Sequence, residues 1–124
     1  MVSFDDIRQI AESLPDTVVG VNDSGQLYVD AAGKGIAWSW MERVTPKQPR
    51  VPRPDVLAVR VASGEEKESL IAADPKKFFT EPHYNGFPAV LVRLSEVDLE
   101  EMRELLIDAW RTKAPKKLIK ESGQ

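Results

Sequence analysis

The sequence predicts an α+β domain: an antiparallel sheet of about five strands with three helices packed against it, in the order α-β-β-β-α-β-β-α. Three observations carry this. Apolar residues recur at helical spacing near both ends of the chain, and they alternate with polar residues through its middle. Val90-Leu91-Val92 forms an aliphatic run with no polar interruption, the mark of a strand covered on both faces. Clusters of turn formers, Asn22-Asp23-Ser24-Gly25 and Pro82-His83-Tyr84-Asn85-Gly86, separate the alternating segments.

Taken in order, Ser3 is placed to cap a first helix with Asp6 in its acidic first turn. Phe4, Ile7, Ile10, Ala11 and Leu14 form its apolar stripe until Pro15 ends it. Asp16 to Gly20 is too short to assign. Leu27 and Val29 then alternate with Tyr28 and Asp30. After the glycine-flanked loop Ala31 to Gly35 comes a second alternation, with Ile36, Trp38 and Trp40 sharing one face of a hairpin. Gly33-Lys34-Gly35 lacks the spacing and the helix that a Walker phosphate loop requires, so it reads as a hairpin loop tipped with lysine.

The segment 45–54 carries Pro46, Pro49, Pro52 and Pro54 and is expected to be a loop, because proline has no amide to donate to a sheet. Its Lys47, Arg50 and Arg53 between prolines also suit a polyproline II ligand; a stiff solvated connector is the plainer reading. Leu57, Val59 and Val61 mark a third strand over 55–62. Ser63 and Glu66 have capping-box spacing ahead of a short helix that stops at Asp74-Pro75. Phe79 to Glu81 and Ala89 to Leu94 form the arms of a second hairpin around the His83-Tyr84 turn, with Asn85 and Gly86 both suited to positive φ. Asp98 and Glu101 box the last helix, whose stripe is Leu99, Met102, Leu105, Leu106, Ala109 and Trp110. The residues 115–124 are expected to fray.

One domain spanning 1–124 is the size expected of a chain that builds its own core. With no cysteine, disulfides, zinc-thiolate centres, iron–sulfur clusters and thiol nucleophiles are excluded. The amino terminus is acidic where a signal peptide is basic, and no apolar run reaches the ~18 residues of a membrane span. A cytoplasmic protein with no membrane partner is expected. Net charge is −3, so nucleic-acid binding requires a local basic face. Arg43, Lys47, Arg50, Arg53 and Arg60 fall between two acidic regions, and Lys113, Lys116, Lys117 and Lys120 close the chain; Lys34, Arg43, Lys47, Arg50 and Arg53, near the first hairpin and its loop, supply the candidate, against the plain alternative of solvated surface charge.

No catalytic motif is present. The single histidine, His83, would need carboxylates for every other metal ligand, and no Gly-x-Ser-x-Gly elbow accompanies it, so no metal, no cofactor and no enzymatic activity are expected. His83 can instead satisfy a turn carbonyl, or join Tyr84, Arg93 and Trp110 in a pocket for an anionic small molecule. Arg93, in a strand covered on both faces, then requires an acid such as Glu81 or Asp108. Adjacent carboxylates (Asp5-Asp6, Glu65-Glu66, Glu100-Glu101) all fall in helix first turns, where they complement the dipole. A docking surface for another protein or for a copy of this chain, on a sheet face or edge, is the third reading.

Phe79, Pro82-His83-Tyr84, Gly86, Pro88 and Val90 to Leu94, followed by Val97-Asp98-Leu99, Glu104-Leu105-Leu106, Asp108-Ala109-Trp110-Arg111 and Ala114 to Leu118, resemble the MmcQ/YjbR family of small bacterial proteins. Gly33-Lys34-Gly35-Ile36-Ala37 resembles its glycine-lysine hairpin. Gly25-Gln26-Leu27-Tyr28-Val29 stands where the family has glycine-x-proline-x-phenylalanine, and the proline segment looks like an insertion. The resemblance implies a YjbR-like, secretion-chaperone-like fold and DNA binding through a double-wing arrangement of hairpins. It implies no catalytic residues.

Overall fold

The computed structural model describes residues 2–43 and 45–123; Met1, at the acidic amino terminus, and Gln124, at the end of the predicted tail, lie outside them, as does Val44. The α+β class holds, with one strand and one helix more than the sequence pattern indicates. The elements are α1 (Phe4–Glu12), β1 (Thr17–Val21), β2 (Leu27–Ala31), β3 (Lys34–Glu42), β4 (Val51–Arg60), α2 (Gly64–Ala73), β5 (Phe78–Phe79), β6 (Ala89–Arg93), α3 (Leu99–Lys113) and α4 (Lys116–Ser122). All strand pairs are antiparallel, and the sheet order is β1-β2-β3-β4-β6-β5.

Both terminal helices start as their sequences dictate. Ser3 Oγ accepts from Asp6 N while Asp6 accepts from Ser3 N, and Asp98 and Glu101 repeat the exchange at α3. Ile7 and Ala11 of α1 and Met102, Leu106, Ala109 and Trp110 of α3 are buried in one large core. That core also takes Leu27, Val29 and Ala31 of β2, Leu57 and Val59 of β4, and Val90 and Val92 of β6, so the helices cover a single face of the sheet. Leu99 departs from the predicted stripe: at the first turn of α3 it is 54% exposed.

Four local expectations are corrected. Most of the segment Asp16 to Gly20 belongs to a strand, β1, which runs on to Val21 and pairs residue for residue with β2 across the Asn22–Gly25 turn. The proline segment 45–54 is loop only to its Arg50. Val51 and Pro52 already pair with Glu42 and Met41, and β4 meets β6 only from Val56 onward. The prolines therefore sit where no strand on the β6 side asks for their amides. Ile36, Trp38 and Trp40 do not share a face. Val29 pairs with Ala37 and Asp30 with Gly35, so Ile36 is the extra residue of a bulge, and both Ile36 and Ala37 turn into the helix-side core. The tail forms α4, with Leu118 and Ile119 packed on the large core.

Two turns are settled by backbone sterics. Ala32 (φ 51°) and Gly33 (φ 79°) close β2 onto β3 as a two-residue turn with both central residues left-handed, the arrangement that follows sheet twist. In the second hairpin, β5 is limited to Phe78–Phe79 rather than reaching Glu81. Asn85 is extended (φ −62°, ψ 129°) and only Gly86 is left-handed (φ 78°), with Phe87 N donating to Tyr84 O at 3.0 Å, a type II turn.

Candidate functional site

Among the described residues no α-helix lies over the second face of the sheet; only a short 3-10 helix, Pro82–Tyr84, does. Val56 and Ala58 of β4 and Ala89 and Leu91 of β6 form a smaller core there with Tyr84, bordered by Trp38, Trp40 and Phe79. The segment 80–88 lies across this core and closes it. Trp38 Nε1 donates to Tyr84 Oη at 3.0 Å, and Phe87 meets the Trp38 and Tyr84 rings edge-on, both with centroids 6.1 Å apart. Phe79 meets Trp40 in the same manner at 5.8 Å. Burial pushes the Tyr84 phenol above its ordinary value, opposed by the Trp38 hydrogen bond. Phe87 remains 41% exposed, an uncovered aromatic edge on this face.

Arginines stand around the aromatic layer, each held in place. Arg60 donates Nε to Gly35 O at 2.8 Å, and its guanidinium lies 5.8 Å from the Trp38 ring and 5.6 Å from Phe87. Arg93 lies 4.1 Å over Phe79 while its Nη1 donates to Pro75 O and Lys76 O, each at 3.2 Å. Arg50 Nη1 donates to Met41 O at 2.8 Å. Arg53 alone is neutralised: it forks onto Asp55 at 3.1 and 3.0 Å and reaches Glu42 at 2.8 Å. That hydrogen-bonded pairing raises the Arg53 pKa and lowers that of Asp55. A cleft of about 270 Å³ opens here, its lining including Trp40, Arg53, Asp55, Phe79, Arg93 and Ser95. Among the described residues, Trp40 Nε1 and Glu81 Oε1 are buried atoms without a hydrogen-bond partner.

Lys67 fixes the segment that roofs this face. From α2, 6% exposed, it donates Nζ to Tyr84 O at 2.6 Å and to Phe87 O at 3.1 Å, at either end of the type II turn. Among the described residues no carboxylate pairs with it, and burial holds its pKa below the ordinary lysine value. Tyr84 and Phe87 are thereby tied to a helix through a charged donor.

The predicted basic set is not one patch. Lys34 opens β3 at its turn, while Arg43, Lys47 and Arg50 follow the other end of that strand, roughly 25–30 Å away at the rise of an extended chain, and Arg53 lies in β4 beside its last residues. The predicted pocket does not assemble either. Trp110 is fully buried in the helix-side core, with Nε1 donating to Pro15 O at 2.8 Å, whereas Tyr84 and Arg93 belong to the opposite face. His83 is exposed, its ring set edge-to-face with that of Tyr84, and among the described residues it has no side-chain hydrogen bond to a turn carbonyl. Arg93 is held by backbone carbonyls and a ring, not by Glu81 or Asp108. Arg60, read only as one of a run of basic residues, Lys67 and Phe87 are absent from the predicted sites. Strand parity could have found the first, since Arg60 shares a face with Val56 and Ala58 and not with Leu57 and Val59. Helical spacing could have found the second, since Lys67 stands one turn before Leu70 and Ile71.

A helix-backed antiparallel sheet with an aromatic and arginine layer on its bare side defines this protein as a one-sided α+β sheet domain. Proteins of Mycobacterium bovis (uncharacterized protein Mb2600) and Mycobacterium tuberculosis strain H37Rv (uncharacterized protein Rv2570) are each 35% identical to it over 96% of this chain and 94% of their own length. The chain belongs to the family of these mycobacterial proteins. In three dimensions it is similar to the crystal structure of Deinococcus radiodurans protein DR2400, a DUF419 domain. The TM-score is 0.67 at 26% identity, covering 99% of this chain and 89% of that one. No family model matches the sequence.

Proposed function

We propose that the protein is a non-enzymatic, cytoplasmic DNA-binding protein of the MmcQ/YjbR type, and that it engages a DNA strand through the helix-free face of its sheet. The observation that supports this is the placement of Arg50, Arg60 and Arg93 around Trp38, Trp40, Phe79 and Phe87 on that one face, each guanidinium held without a carboxylate. Aromatic rings offer stacking surface to any base, and prearranged guanidiniums offer phosphate contacts. On the same face Glu42 and Asp55 are taken up by Arg53, while Asp30 stands by the Trp38 ring and Glu81 by Tyr84, so at a net charge of −3 the phosphate contacts rest on Arg50, Arg60 and Arg93. The half-exposed rings favour single strands over duplex, whose bases are already stacked.

Titration of labelled single-stranded and duplex oligonucleotides, read by anisotropy and by tryptophan quenching, tests this. With three phosphates neutralised, single-strand affinity falls roughly twentyfold between 50 and 200 mM salt. The variant Arg60→Ala/Arg93→Ala flattens the salt slope by about 1.4. Binding that ignores salt, or that the double variant leaves intact, refutes the proposal.

A further inference from the structure

β1 ends the sheet, and its outer edge is open. Asp16 O accepts from Ala32 N and Asn22 N donates to Gln26 O, both at 3.0 Å, so the even-numbered residues of this strand face β2. By the alternation of an antiparallel ladder, Thr17, Val19 and Val21 turn their N–H and C=O groups outward. The Thr17 hydroxyl does not shield them, because it donates to Ala11 O and Leu14 O. None of the devices that blunt an edge is present: Thr17–Val21 contains no charge, no proline and no bulge, and Val18 and Val21 are 58% and 57% exposed. The opposite edge is blunted, since β5 has two residues and Pro75 and Pro82 bracket it.

We propose that β1 is the docking edge for a second copy of this chain, forming a two-fold dimer whose sheet runs through both subunits. The strand is self-complementary about Val19. With Val19 opposite its own copy and Thr17 opposite Val21, the outward groups satisfy one another in about six hydrogen bonds. On the helix-free side Val18 then falls across Gly20, the one position of β1 without a side chain. The Tyr28 ring fills the space above Gly20, its hydroxyl 2.5 Å from where a Cβ would stand, so Val18 meets a ring edge instead of a void. Asp16 falls across Asn22, which leaves no like charges opposed. One short strand pair is small for an interface, so the dimer forms in the micromolar to millimolar range.

Sedimentation velocity of the full chain from about 1 μM to 1 mM tests this, together with amide hydrogen exchange at both limits. The expected result is a dimer at the upper concentrations, with the Val19 and Val21 amides gaining protection as it forms while the Val18 and Gly20 amides are protected throughout. Val18→Lys changes an exposed side chain and weakens dimerisation at least about tenfold with the thermal midpoint unchanged. Monomer throughout the range, or a dimer that neither Val18→Lys weakens nor the Val19 and Val21 amides report, overturns the inference. DNA binding does not enter these measurements, so the two proposals fail separately.

Discussion

Replacing Lys67 by methionine isolates one charged contact that couples α2 to the roof of the sheet face. The side chain keeps nearly its volume, so packing is conserved and the change is electrostatic. Two hydrogen bonds from an ammonium to carbonyls are lost, each worth about 1.5–3 kcal/mol. Three effects reduce that sum. Tyr84 O still accepts from Phe87 N, Phe87 O still accepts from Ala89 N, and the cost of holding an unpaired charge away from water disappears. The net expectation is a loss of about 2 kcal/mol, or roughly 5–10 °C in thermal midpoint for a chain of this length. The pH dependence separates this account from simple packing. Burial lowers the Lys67 pKa in the folded state, so between that lowered value and the ordinary one near 10.5 the unfolded chain holds more protons. Stability contributed by this group must therefore rise with pH through that window, and the penalty is full below it. Chemical denaturation at several alkaline pH values, comparing wild type with Lys67→Met, reads the difference directly. A variant as stable as wild type at neutral pH, or a difference between the two that stays constant as pH rises, excludes a buried ammonium that ties α2 to the turn.

Substitutions at three further positions probe other joints of the fold, all by urea denaturation. Ser39 is fully buried and its Oγ accepts from Leu27 N at 3.0 Å where β3 leaves regular register, so Ser39→Ala strands that amide and costs about 1–3 kcal/mol. Trp110→Phe removes the Nε1 bond to Pro15 O and opens space in the large core; about 2–3 kcal/mol is expected, and a loss under 1 kcal/mol contradicts the packing described. Asp98→Ala removes the cap of α3 and costs about 1 kcal/mol, while Asp98→Asn, which retains the acceptor, costs less; equal losses would assign the effect to charge instead of capping.

What the sequence disclosed and what it withheld divide along a physical line. The starts of α1, α2 and α3 were legible because a serine or aspartate three residues before an acidic residue is a local hydrogen-bonding unit, complete before any tertiary contact forms. The Val90-Leu91-Val92 run was legible because burial on both faces demands it. β1 was not, since Thr17 to Val21 is a strand only through its pairing with β2. Pro52 and Pro54 read as loop because their tolerance depends on β6 pairing no earlier than Val56, a fact about another segment. The candidate site followed the same rule. Parity groups Arg60 with Ala58 and Arg93 with Leu91, but it does not say which side the helices will cover. That is decided by connections: α1 and α3 meet on one face, and Trp110 of α3 reaches Pro15 across it, leaving the other face to be closed by the 80–88 segment alone. A segment made of one 3-10 turn and one type II turn carries no stripe of its own with which to bury a sheet face. Its aromatic side chains and a lysine from outside do that work, so the least regular part of the chain is the part that shapes the surface available to a ligand.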